Sequence, residues 1–162
     1  MHKLLALQAA LLKEIEKYGK MIPDEERDEP LVWEQVHISS CAKIGYLMAE
    51  ARGVDPVLAA SACAIHDYGR IVTGKQPGHA EAGYEPVKKF LKETRLFTEE
   101  EVDLLATATR NHSNKSEVGG PIEEIVKDAD VLDFHQYGAV MPREEQQRRL
   151  ERILGEMKAL VK

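Results

Sequence analysis

The stretch AASACAIHDYGRIVT, residues 59–73, decides how this chain is read. From Ala59 to Ile65 every residue is small or apolar, and a helix without a polar face belongs in the middle of a bundle. That run leads directly into an imidazole and a carboxylate, His66 and Asp67. Adjacent helical residues point roughly 100° apart, so the pair converges on one object only at a helix end, where Gly69 lets the backbone turn. A metal ion is such an object, because neutral imidazole and carboxylate are its usual ligands and a desolvated charge needs a counter-charge.

Working outward, Asp55-Pro56 is an N-cap followed by a proline at the first helical position, and it launches this central helix. The helix before it runs from about Leu31 to Arg52 and is closed by Gly53. On it Trp33, His37, Cys41, Ile44 and Met48 share one stripe, so His37 points into the core; Trp33 reads as packing rather than as a platform for a stacked base. Further upstream, Leu4, Leu5, Leu7, Leu11, Leu12 and Ile15 define a first helix ending near Tyr18-Gly19, and an acidic linker over 21–30 is expected to run over the surface.

Downstream, Tyr68 to Gly78 reads as a turn and loop. A helix from His79 to about Lys92 puts His79, Gly83, Val87 and Phe90 on one face, with Gly83 free to admit another backbone. Thr98 and Glu101 form a capping box for a helix whose inward stripe is Val102, Leu105, Thr109 and His112. After the polar loop Ser113 to Gly120, Pro121 opens a helix containing KDADVLDF, residues 127–134. Pro142 opens a last helix through Ile153, Met157 and Leu160. No strand alternation appears, so the fold class is all-α, and 162 residues suit one domain.

The 43% apolar and 31% charged residues are those of an ordinary globular protein. A formal charge of −6 provides no basic field for long nucleic acid, whereas a small phosphorylated ligand needs only a few local bases. Cys41 and Cys63 fall within apolar helical patterns and read as reduced, buried thiols. No run is apolar enough to span a bilayer and no signal-peptide cleavage site is apparent, so the expected location is the cytoplasm with no membrane partner. Self-association stays open as a homo-oligomer.

His37, His66, Asp67, His79 and His112 are thus polar groups aimed into a helical core or held at helix ends. In KDADVLDF, Val126, Asp130 and Phe134 share a face, while Asp128 and Asp133 rival Asp130 by periodicity. Each has a plain structural use: a lone core histidine is usually just hydrogen-bonded, and one after Gly78 can satisfy a helix start. His2 and His135 read as surface residues. Asp133, one turn from Asp130, fits either a partner orienting a ligand or a solvated aspartate. Six nitrogen and oxygen donors without cysteine suit Mn, Fe, Co, Ni or Zn. Arg70, Lys75, Arg110, Lys115 and Lys127 lie near them in sequence, Arg70 and Lys115 leading as a phosphate clamp.

The order His37, His66-Asp67 with Gly69-Arg70, Gly78-His79-Ala80 with Gly83, His112, and Ala129-Asp130 with Leu132-Asp133 resembles the HD-domain metal-dependent phosphohydrolase superfamily, over about 31–137. The resemblance implies an HD-type helical bundle in which His37, His66, Asp67 and Asp130 hold one divalent metal. It selects Asp130 over Asp128. It further implies a second metal on His79 and His112, with Asp67 bridging. Two such metals, about 3.5–4 Å apart, can bind a hydroxide and clamp a phosphoryl group. The implied activity is hydrolysis of a phosphate ester or anhydride of a small molecule, with a nucleotide as leading substrate. The alternatives are a mixed-valence di-iron oxygenase, a nucleotide-binding module without turnover, or a bundle whose histidines are only structural.

Overall fold

The computed structural model describes residues 2–138 and 140–160, with all of their side chains except those at 2, 159 and 160. The expected surface position of His2 and the inward place of Leu160 lie outside the described side chains. Eight α-helices follow in order among the described residues: α1 (His2–Met21), α2 (Leu31–Arg52), α3 (Pro56–Ile65), α4 (Tyr68–Thr73), α5 (His79–Thr94), α6 (Glu99–Asn111), α7 (Pro121–Gln136) and α8 (Glu144–Leu160). No strand occurs among them. None of these helices is long and apolar enough to cross a membrane.

Local chemistry sets most of these boundaries. Asp55 Oδ1 accepts from the backbone N–H of Val57 and Leu58 at the start of α3, with Pro56 at the first position. Thr98 and Glu101 make the reciprocal capping box of α6. Gly53 closes α2 at a φ of 68°, a conformation that favours glycine. α3 is the hub: Ala59 through Ile65 are all buried, and α1, α2, α6 and α7 pack around them. Leu7, Leu11, Ile15, Ile38, Leu91, Leu105 and Ile125 fill the space between.

Several expectations are corrected. The loop expected over Tyr68 to Gly78 begins with α4, and the chain turns at Asp67 (φ −94°, ψ 18°), not at Gly69. Gly69 is required for another reason. A Cβ there would lie 1.9 Å from the carbonyl oxygen of His79, and one on Gly83 would lie 2.8 Å from Gly69 N. α4 and α5 therefore touch backbone to backbone, which draws His79 close to the His66-Asp67 corner.

α1 continues past Tyr18-Gly19 to Met21. Its final carbonyls are capped by Arg27, whose guanidinium donates to Tyr18 O and Ile22 O and also to Arg70 O and Ile71 O of α4. The 21–30 segment, expected on the surface, thus carries a buried arginine that ties α1 to α4. The last helix starts at Glu144; its Ile153 packs with Val131 and Met141, while Met157, expected inward, is exposed.

Candidate metal centre

Four helix ends and two helix faces deliver the polar set to one place. His66 and Asp67 sit at the corner between α3 and α4, His79 opens α5 and His112 closes α6. His37 comes from the middle of α2 and Asp130 from α7. His37 Nε2 lies 3.1 Å from His66 Nε2 and 3.4 Å from both Asp67 Oδ2 and Asp130 Oδ1. His66 Nε2 lies 3.5 and 3.7 Å from those same oxygens. On the other side, Asp67 Oδ1 lies 3.0 Å from His79 Nε2 and 3.3 Å from His112 Nε2, which are 3.0 Å apart. The two oxygens of Asp67 thus face two separate groups of donors.

These spacings fit a metal. Bonds of about 2.0–2.2 Å around one ion place neighbouring ligand atoms roughly 3.0–3.5 Å apart. The tautomers fit as well. Nδ1 of His66, His79 and His112 donates to the carbonyls of Cys63, Gln76 and Thr109 at 2.7, 2.7 and 2.6 Å. Nδ1 of His37 donates to Asp133 Oδ2 at 2.5 Å. A carbonyl or carboxylate can only accept, so each neutral imidazole turns a bare Nε2 lone pair inward. Two such lone pairs at 3.0 or 3.1 Å repel unless a cation stands between them.

Charge points the same way. Glu34, Asp67, Asp130 and Asp133 gather here with Arg70 and Lys115 as their cationic partners. Burial works against ionisation of Asp67 and Asp130, but the surrounding imidazoles, and for Asp130 the Lys115 ammonium, hold both well below the usual carboxylate range. Burial disfavours the cationic form of His37 and His79, yet the adjacent carboxylates raise both above the ordinary histidine value. His112 is pushed down to about 4, chiefly by burial. Protons and a metal therefore compete for these donors. Burial pushes the Cys41 thiol, 3.6 Å from His37 Nδ1, up to about 12, so it is a neutral neighbour and a poor donor.

The centre floors a cavity of about 970 Å³. Arg70, Arg110 and Lys115 line it, as do Trp33, Phe134 and Tyr137. Lys75 and Lys127, grouped with them by sequence, point elsewhere: Lys75 binds Glu26 O and Asp28, and buried Lys127 binds Glu117 O and Glu124. Trp33 stacks on His37 with centroids 5.5 Å apart and meets Tyr137 edge-on, so it both packs and forms cavity wall. The Val126–Asp130–Phe134 face is likewise not all core, because Phe134 is exposed to the cavity. Asp128 lies outside the cluster and pairs with Arg52, Arg149 and Arg152.

Sequence reasoning missed Glu34, which is buried behind Arg70 and whose carboxyl is raised to about 7 by burial and by nearby Asp67. Its signal was available: it lies one turn before His37 on the same face of α2. Ser113, whose Oγ is 3.3 Å from His112 Nε2, was also passed over as part of a polar loop.

Fold and site together define a helical protein with a buried histidine and aspartate centre that fits a divalent metal. The HD domain model matches residues 36–135, more than half of the chain, and the chain belongs to that family, a superfamily of metal-dependent phosphohydrolases. No curated protein and no solved structure matches the chain.

Proposed function

We propose that this protein is a phosphohydrolase that removes or splits a phosphoryl group of a small molecule, with a nucleotide as the leading substrate. The observation that supports the reading best is the division of Asp67 between two donor groups at the floor of a cavity that also carries cationic side chains. His37, His66, Asp67 and Asp130 would hold one divalent ion, and Asp67, His79 and His112 a second. Mn, Fe, Co, Ni and Zn all suit this donor set. When bound, such ions supply Lewis acidity, polarising phosphoryl oxygens and lowering the pKa of water.

The chain's own residues do the rest. Arg70 and Arg110 on the cavity wall neutralise phosphoryl oxygens. Lys115, hydrogen-bonded to His112 O at 2.8 Å and paired with Asp130 Oδ2 at 2.5 Å, fixes that carboxylate and adds positive potential beside it. Trp33, Phe134 and Tyr137 give the cavity an aromatic wall for a planar ring to pack on, and this supports a nucleotide over a plain sugar phosphate.

The test is metal content per chain by elemental analysis, followed by phosphate release from nucleoside mono-, di- and triphosphates, sugar phosphates and p-nitrophenyl phosphate in each of the five metals. Two metals per chain, falling to one in His79→Ala and in His112→Ala, with release that favours nucleotides, is the expected result. A fully loaded protein that releases no phosphate from any of these compounds overturns the reading.

A further inference from the structure

Among the described residues, the buried side-chain polar atoms without a hydrogen-bond partner are Oε2 of Glu34 and Nη2 of Arg70. Both belong to one ion pair. A buried polar atom without a partner is destabilising, so two of them on one pair beside the candidate metal centre need a physical account. Glu34 is only 1% exposed, and its Oε1 lies 2.7 Å from Arg70 Nη2. Nη1 of the same guanidinium lies 3.4 Å from Asp67 Oδ2, the oxygen that faces His37 and His66. Arg70 is therefore divided between a carboxylate behind it and the carboxylate that both donor groups share. A guanidinium fork closes readily on one carboxylate with two parallel bonds. Without Glu34 the available carboxylate is Asp67, and a fork closed on Asp67 occupies the lone pairs that a cation needs.

We infer that Glu34 is a positioning residue which draws Arg70 away from Asp67. It leaves Asp67 with a single long bond from Arg70 Nη1, at 3.4 Å, so that both its oxygens can ligate, and it holds the guanidinium beside the cavity, where its charge faces an anionic oxygen. The second half of this inference rests on the phosphohydrolase reading; the first half concerns metal retention alone.

The test uses the full chain stripped of metal and titrated with Mn²⁺, comparing wild type, Glu34→Gln, Glu34→Ala, Arg70→Ala and the double variant Glu34→Ala/Arg70→Ala. Circular dichroism checks the fold, and Glu34→Gln, which keeps the side-chain volume, carries the comparison if Glu34→Ala does not fold. Both Glu34 variants are expected to bind Mn²⁺ roughly 10- to 100-fold more weakly. Arg70→Ala should bind it as wild type does, and the double variant should regain most of the lost affinity. Inorganic phosphate added to the Mn²⁺-loaded proteins should bind more weakly in every variant.

Wild-type Mn²⁺ affinity in the Glu34 variants, equal loss in Arg70→Ala, or further loss in the double variant overturns the inference, since a pair that merely stabilises the fold produces those patterns. If loaded wild type binds no phosphate, the phosphohydrolase reading and the anion-holding half fall together, while the Mn²⁺ series still decides what Glu34 does to Asp67.

Discussion

Asp128 and Asp130 lie two residues apart on α7 and are neutralised in opposite ways. The Asp128 side chain is 0% exposed and accepts from Arg52 at 2.8 Å, Arg149 at 3.0 Å and Arg152 at 2.7 Å. The Asp130 side chain is 23% exposed, has Lys115 as its cationic partner, and turns Oδ1 toward the bare nitrogens of His37 and His66. One carboxylate is enclosed by three arginines, shared with Glu124 and Glu156, and locks α8 onto α7. The other has a single lysine on one oxygen and turns the other oxygen to the histidines beside a cavity. The lesson is that a buried acid reveals its work through what compensates it rather than through its burial. Arg149 joins the two regions, because its Nε also holds the Lys115 carbonyl at 2.7 Å.

The contrast can be broken most severely at the centre. Asp67→Ala removes the carboxylate common to both donor groups, and elemental analysis should find metal content falling to the background level. Phosphate release should vanish with it, while circular dichroism stays helical. An active Asp67→Ala protein would sink the mechanism. The mirror experiment is Asp128→Ala, which takes one shared carboxylate from Arg52, Arg149 and Arg152 while Arg149 keeps Glu124 and the other two keep Glu156. Loss of these charged hydrogen bonds costs about 1.5–3 kcal/mol, to be read by urea unfolding, with metal content unchanged. Loss of metal without loss of stability would show that the two aspartates are not separate devices.

A smaller effect is expected where α4 crosses α5. Gly69→Ala places a methyl group 1.9 Å from His79 O, so the helices must separate. Overpacking of this kind costs about 1–3 kcal/mol. On the two-metal reading proposed above, it should also displace His79 and lower the metal count by one, leaving the ion that His37, His66, Asp67 and Asp130 would hold.

The mildest test uses pH on the α7–α8 cluster. Burial works against ionisation of Glu124, but Arg149 and the Gly119 N–H pull its carboxyl down to about 2. Since the folded value lies below the unfolded value of 4.5, its contribution is complete above 4.5 and disappears as pH falls toward 2. Melting temperatures of wild type and Glu124→Gln should therefore differ at pH 7 and converge in acid. A gap that persists at pH 2 would refute the assignment.

Helical periodicity carried most of the architecture, because the apolar stripes of α2, α3, α5 and α6 are unbroken and their caps are local. The corner at Asp67 was harder to read. Gly69 looks like a turn residue in a sequence, and only the approach of α5 shows that its missing side chain, not its flexibility, is what matters. The polar donors could be found because imidazoles on apolar stripes are conspicuous. Glu34 was less conspicuous, since glutamates are abundant in this chain: its place one turn before His37 marks it as inward, but its role depends on a partner 36 residues away, Arg70. The choice of Asp130 over Asp128 is another long-range matter: periodicity allowed both, and the arginines that claim Asp128 come from α2 and α8.

The hydrogen bonds behind the imidazoles also differ in origin. His66, His79 and His112 each donate to a carbonyl three residues earlier, so their orientation is written into a single turn of backbone. His37 alone relies on a side chain from another helix, Asp133. Three donors are thus fixed hardware and one is adjustable. Replacing Asp133 by asparagine or glutamate would retune the electron-donating strength of His37 as a proposed ligand, which makes this single residue the natural handle for redesigning metal preference without rebuilding the scaffold.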